Sequence, residues 1–239
     1  MQTATYIALT QQTVAQSGID TLANNLANLS TPAFKGQSQL FTQYLLPGPN
    51  GTEIAYTRTV GTRRDTKQGG LSQTGNSLDA GIDGQGYFSV QTDDGPRYTR
   101  NGQFQLNSAG NVVTSQGYQL LSDQGTPIIL PRNTKTITIG PDGTVATDTG
   151  PVAKIALSHF DNEQDLVAAA EGLYATADQP TPDTVSKLHQ GMVEASNVNA
   201  ISTLNKLMGM TKSYSSAQEL IDGEDNRIKN AIDKLSKTA

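Results

Sequence analysis

Residues 193–235 read VEASNVNAISTLNKLMGMTKSYSSAQELIDGEDNRIKNAIDKL, and their spacing decides half of the fold. Val193, Ala200, Leu207, Tyr214, Ile221, Ile228 and Leu235 recur every seven residues, and Leu204, Ala217 and Ile232 widen the stripe. No Pro interrupts it, so the spacing predicts a heptad helix, or two helices in line if Gly223 after Asp222 acts as a break. A helix of roughly 40 residues extends about 60 Å, longer than a small domain is wide. Its apolar stripe therefore needs a partner outside any compact core. The alternative is two amphipathic helices lying separately on a middle domain.

The other end of the chain offers that partner. Ala8, Ala15, Leu22 and Leu29 again recur at seven, with Ile19 and Leu26 at the alternate positions. Pro32 ends this helix, because it has no backbone N–H and pushes Thr31 out of the helical region. Gly18, inside the seam, is expected to be a soft point costing about 1 kcal/mol of helix stability. Asn24, Asn25 and Asn28 crowd beside the seam although Asn is a mediocre helix former, which suggests that they fix register or partner choice. Ser196, Asn197 and Asn199 precede the second helix and have a plain alternative as N-caps.

Between the ends the chain changes character. Of 23 Gly, 17 fall between Gly48 and Gly150. Asp83-Gly84, Asp94-Gly95, Asn101-Gly102 and Asp142-Gly143 are turn dipeptides. They separate expected strands at 87–91, 97–100, 103–106, 111–114, 118–121, 136–139 and 154–159. The fold class expected is α+β, with terminal helices paired in a coiled-coil-like domain around a central Gly-rich antiparallel β domain. The expected divisions are an N-terminal helix in 1–36, an extended connector in 37–68, a β domain in 69–184 and a C-terminal helix in 185–239.

Composition narrows the chemistry. The chain has 239 residues, a net charge of −5, no Cys, no Trp and two His. Such a surface offers nothing to a phosphate backbone, so nucleic acid is not expected as a partner. No apolar run is long enough to span a membrane, and no membrane insertion is expected. Without thiols or an imidazole cluster, no metal or other cofactor is expected. Gly81-Ile82-Asp83-Gly84-Gln85-Gly86 resembles a nucleotide loop only superficially, because a strand rather than a helix follows it. Asp93-Asp94 is better read as a turn before Gly95-Pro96 than as a cation site. Ser158, His159, Asp161 and Glu163 invite a triad, yet adjacent strand residues point to opposite faces and no strained nucleophile turn is present. His189 is read as a solvated or interface residue, and no catalytic residue is assigned.

Three motifs then stand in order along the chain. Residues 23–35, ANNLANLSTPAFK, resemble the N-terminal signature of the bacterial flagellar rod and hook proteins. Residues 69–90, GGLSQTGNSLDAGIDGQGYFSV, and 96–121, PRYTRNGQFQLNSAGNVVTSQGYQLL, are similar to the middle of that family. Gly172-Leu173-Tyr174 and the run Gly191 to Asn199 are similar to its C-terminal motif. The opening at Tyr6-Ile7-Ala8-Leu9 and Ile19-Asp20 looks most like the family's proximal rod branch, with a distal rod subunit as the alternative. Ala33 stands where the family has Gly, so its turn is expected to avoid positive φ. Lys212-Ser213-Tyr214 replaces an Arg-x-aromatic.

The resemblance implies a structural, non-enzymatic subunit of the basal-body rod within the periplasm, transmitting torque. It implies partners in copies of the chain, other rod proteins and the flagellar type III export apparatus. The subunit interface it suggests comprises Ala15, Ile19, Leu22, Asn24, Asn25, Leu26, Asn28, Leu29, Phe34 and Lys35 at one end. At the other stand Ser196, Asn197, Val198, Leu204, Leu207, Tyr214, Ile221 and Ile228. A secreted β-rich binding module on a coiled-coil stalk is the reading from a different class.

Overall fold

The first helix stops at Ala27, ahead of Pro32, and the chain turns before it enters its first strand at Gln37. The computed structural model describes residues 2–47, 53–131, 134–176 and 178–237. In sequence, two helices, α1 (Gln2–Ala27) and α2 (Ala200–Lys237), flank a long run of strands, and every pairing among the described strands is antiparallel. The class is α+β.

The chain forms two compact units, each assembled from separated segments. The first combines residues 1–29, 36–65 and 198–239; the second combines 30–35 with 66–197. In the first unit α1 packs against α2 and a β-hairpin packs on α1. The hairpin joins β1 (Gln37–Pro47) to β2 (Glu53–Arg64), with a register shift at Leu40/Phe41. Most of the stretch expected to be an extended connector is therefore a β-ribbon, in which the backbone groups facing the partner strand satisfy one another.

The helix α2 runs without interruption through Gly223, so the in-line break does not occur. It starts later than the heptad pattern suggests. The Asn199 side-chain Oδ1 accepts the Ser202 N–H at 2.9 Å, and the Asn199 carbonyl accepts the Thr203 N–H at 2.9 Å, so Asn199 is the N-cap. Val193, in phase with the heptads, instead lies buried in a strand of the second unit.

The second unit is built on a nine-stranded sheet. Its main path orders β14 (Val167–Ala168), β15 (Leu173–Ala175), β6 (Gly95–Thr99), β5 (Tyr87–Thr92), β9 (Gln119–Leu120), β8 (Val112–Thr114) and β7 (Phe104–Leu106). Off that path β13 (Leu157–His159) pairs with β5 and with β16 (Thr181–Pro182). A separate three-stranded sheet holds β10 (Ile137–Ile139), β11 (Thr144–Thr147) and β12 (Gly150–Lys154). The expected single strand over 154–159 is thus divided between β12 and β13. Two further pairs bring distant parts of the chain together: β3 (Leu71–Gln73) with β18 (Met192–Glu194), and β4 (Ala80–Asp83) with β17 (Lys187–Gln190).

Ile82, Phe88, Val90, Phe104, Leu120, Ile128 and Leu188 belong to one buried cluster. A second cluster gathers Tyr87, Tyr98, Phe160, Leu166 and Tyr174, whose rings meet edge to face, as Tyr98 and Phe160 do at 4.8 Å. Tyr98 is thereby buried within this aromatic group.

Candidate assembly surface

On its α1 side the seam of the first unit is built mainly on small residues. On α1, Ala8, Ala15, Gly18 and Asn25 are buried, while Ile19, Leu22 and Leu26 are half-buried. On α2 the covered positions include Thr203, Leu207, Met210, Tyr214, Ala217, Ile221 and Glu224, in alternating steps of four and three. Gln12 Nε2 donates to Gln218 Oε1 at 2.5 Å, and a Cβ placed on Gly18 would lie 2.8 Å from Met210 Cε. The two contacts advance in opposite directions along the helices, so α1 and α2 are antiparallel. Gly18 is a position of close approach as well as low helix propensity, because Met210 occupies the space a side chain would need.

Asn25 has a definite task. Its Nδ2 donates to the Gln37 carbonyl at 2.7 Å, and its Oδ1 accepts the Gln37 N–H at 2.8 Å. A side-chain amide here imitates a neighbouring strand and pins the first residue of the hairpin to α1. Gln39 Nε2 donates to Ser17 Oγ at 2.5 Å, adding a second tie. Asn28 donates from Nδ2 to the Asn24 carbonyl at 3.0 Å, at the end of the helix, and Asn24 itself is exposed. Leu29 and Val198 are half-buried in the same unit.

Helix lengths leave part of the stripe uncovered. At 38 and 26 residues, α2 and α1 span about 57 and 39 Å. From Asp225 to Lys237 every residue of α2 is exposed, including Ile228 at 43%, Ile232 at 58% and Leu235 at 71%. Ile228 and Leu235 continue the four-and-three steps of the covered seam. Near the other end of α2, Leu204 is also exposed at 46%. Leu40, Tyr44 and Val60 add exposed apolar surface on the hairpin.

The signature residues of the second unit form a buried ion cluster. Lys35 Nζ donates to Glu194 Oε1 at 2.6 Å and to the Lys67 carbonyl at 2.8 Å. Arg100 Nε donates to Glu194 Oε2 at 2.9 Å, and its Nη1 donates to the carbonyls of Gly84 and Gly86. The Arg100 guanidinium also stands 5.5 Å from the Tyr87 ring centroid. All three charged side chains are at most 3% exposed. Burial pushes the Lys35 ammonium below its ordinary pKa, and Glu194 partly offsets that. Lys35 thus spends its contacts within the chain, as do Ala15 and Asn25. Phe34, Ser196 and Asn197 are half-buried, and Asn197 N–H donates to the Phe34 carbonyl at 3.2 Å.

Ala33 corrects an expectation. Its φ is +58°, and its N–H donates to the Glu194 carbonyl at 2.8 Å. The turn keeps its left-handed geometry although the side chain disfavours it, because this hydrogen bond and the burial around it fix the backbone.

The weaker chemical candidates resolve locally. Ser158 Oγ hydrogen-bonds Ser89 Oγ at 2.9 Å in the interior, and His159 Nε2 lies 3.8 Å from Asp161. The Gly81–Gly86 run spans β4, a turn and the approach to β5, and its carbonyls hold Arg100. Among the described residues no His, Cys, Asp or Glu group could hold a metal, and no helix is long and apolar enough to cross a membrane.

Two family models match the chain. The flagellar hook protein FlgE/F/G D1 domain covers residues 81–147, and the flagellar basal body rod FlgEFG protein C-terminal covers 189–234. A flagellar basal-body rod protein FlgF from Caulobacter vibrioides is 32% identical, covering 99% of both chains. The chain belongs to the flagellar basal-body rod protein family. Other rod relatives agree: FlgF of Rhizobium meliloti is 32% identical over 98% of each chain, and FlgG of Buchnera aphidicola from Schizaphis graminum is 30% identical over 93% of this chain and 96% of its own. Within this rod protein, the first matched block contains the Gly84, Gly86 and Arg100 corner of the ion cluster, and the second contains Glu194 and most of α2. Sequence reasoning named Lys35 as an interface residue rather than as part of this cluster, and missed Arg100 and Glu194. The available signal was Glu194, the single charge in the run Gly191 to Asn199.

Proposed function

We propose that the chain is a structural subunit of the proximal part of the flagellar rod, polymerising through its terminal helices into a helical tube that carries motor torque across the periplasm. Membership of the rod family makes it a structural basal-body component rather than an enzyme, assembling with other rod proteins. The observation that carries the proximal assignment is the nearly end-to-end match to FlgF chains.

Coiled-coil-like pairing of α1 and α2 is supported by the alternating burial along the seam. Self-assembly is supported by apolar residues left exposed where α2 outruns α1. Head-to-tail contacts that do not close would build an open filament. The exposed subset of the interface residues, Asn24, Leu204 and Ile228, faces neighbours directly; Ala15, Asn25 and Lys35 act by holding those surfaces in shape. Delivery through the type III export apparatus fits a chain with no disulfide to form.

Similarity to FlgG supports the distal rod as the second reading. Labelling the chain and imaging purified basal bodies separates the two. Density next to the inner membrane is expected, and density near the outer membrane would overturn the proximal assignment.

A further inference from the structure

The second unit is closed by the two parts of the chain that lie farthest apart. Its opening segment, 30–35, and its last segment, 187–197, meet each other and the strands between. Glu194 is the hub: its carbonyl accepts the Ala33 N–H, Oε1 accepts from Lys35 Nζ and from the Gly69 N–H at 2.9 Å, and Oε2 accepts from Arg100. The Lys35–Glu194 contact spans 159 positions of sequence. Around it Leu188, 2% exposed, enters the main apolar cluster, and Gln190 Nε2 donates to the carbonyls of Ser77 and Ile137. Without this segment Lys35 and Arg100 lack the Glu194 carboxylate, while β3 and β4 lack the strands that pair with them. Two cations desolvated without their anion are strongly unfavourable.

We propose that residues 187–197 are a closing clasp, a conformational device that keeps the central unit open until the C-terminal part of the chain is present. A chain emerging N-terminus first, from a ribosome or a narrow channel, has then released 186 residues without being able to close this unit. Long-range closure carries a loop-entropy cost that the last segment's contacts help to offset. The use of the device, preventing premature folding of an exported subunit, rests on the proposed export route; the clasp itself does not.

Pulsed hydrogen exchange with mass spectrometry, during refolding of the full chain from urea, tests it. Amides of β4, β5 and β8 are expected to gain protection in the same kinetic phase as those of β17 and β18. Glu194→Gln is expected to slow that phase by about tenfold or more, while Asp225→Asn, which alters an exposed pair with Lys229, leaves it unchanged. Protection of the central strands ahead of β17 and β18, or an unaltered rate in Glu194→Gln, would overturn the clasp. Should Glu194→Gln fail to fold, the order of protection in the unmodified chain decides alone. Early central protection would refute the clasp and leave the proximal-rod assignment standing, whereas outer-membrane density would do the reverse.

Discussion

Ala33 holds a backbone conformation that its own Cβ disfavours, at φ +58°, because the hydrogen bond to Glu194 and the surrounding burial over-determine it. A non-Gly residue in this region costs on the order of 1 kcal/mol. Replacing it with Gly removes the steric cost and adds some freedom to the unfolded chain, which offsets part of the gain. Ala33→Gly is therefore expected to stabilise the central unit by roughly 0.5 kcal/mol. The midpoint of urea unfolding, followed by tyrosine fluorescence, reads the effect. A lower midpoint would show that the Ala33 methyl contributes more through packing than its backbone costs. The sequence offered only the substitution of Ala for the family's Gly and no means of telling that the turn survives it. The deciding contact comes from Glu194, far along the chain.

Elements were legible where one partner explains the pattern. The seam on α2 follows from Leu207, Tyr214 and Ile221, and its pairing with α1 follows from Ala8 and Ala15. The hairpin was not legible: β1 and β2 carry apolar residues on a two-stranded ribbon whose sides are largely open, so their pattern lacks the alternation of a half-buried sheet. The heptad phase of Val193 places β18 inside the helix expected over 185–239, whereas its burial in fact serves a sheet. The buried Lys35, Arg100 and Glu194 cluster escaped for another reason, since three segments must be folded before it exists. Gly18 shows the same limit within one helix. Propensity correctly marks it as a weak point, while its close approach to Met210 is visible only in the folded pair. A larger side chain there overpacks the seam, so Gly18→Leu is expected to destabilise the first unit by about 1–3 kcal/mol. Met210→Ala in the same chain opens space and should recover part of that loss, giving a non-additive double-mutant cycle in urea unfolding followed by far-UV circular dichroism. Additive losses would mean that the two residues do not share the crossing.

At the scale of the molecule, folding and assembly draw on different parts of one apolar stripe. Ala217, 1% exposed, lies where α1 covers α2, whereas Ile228 and Ile232 lie beyond that cover. A charge introduced at the two positions must therefore have opposite consequences. Ala217→Asp buries an unpaired carboxylate in the seam and is expected to cost about 3 kcal/mol or more, unfolding the first unit. Ile228→Asp and Ile232→Asp keep their carboxylates in water, so the isolated chain should unfold within about 0.5 kcal/mol of the unmodified protein. In the rod, however, both carboxylates would have to be desolvated against a neighbouring subunit. The expected result is a folded, soluble chain that fails to enter basal bodies and leaves cells non-motile. Calorimetry on the purified variants, together with immunoblots of isolated basal bodies, checks both halves. Normal incorporation of Ile228→Asp/Ile232→Asp would mean that the exposed end of α2 stays in water after assembly, and polymerisation would then have to rest on the hairpin and the central sheet.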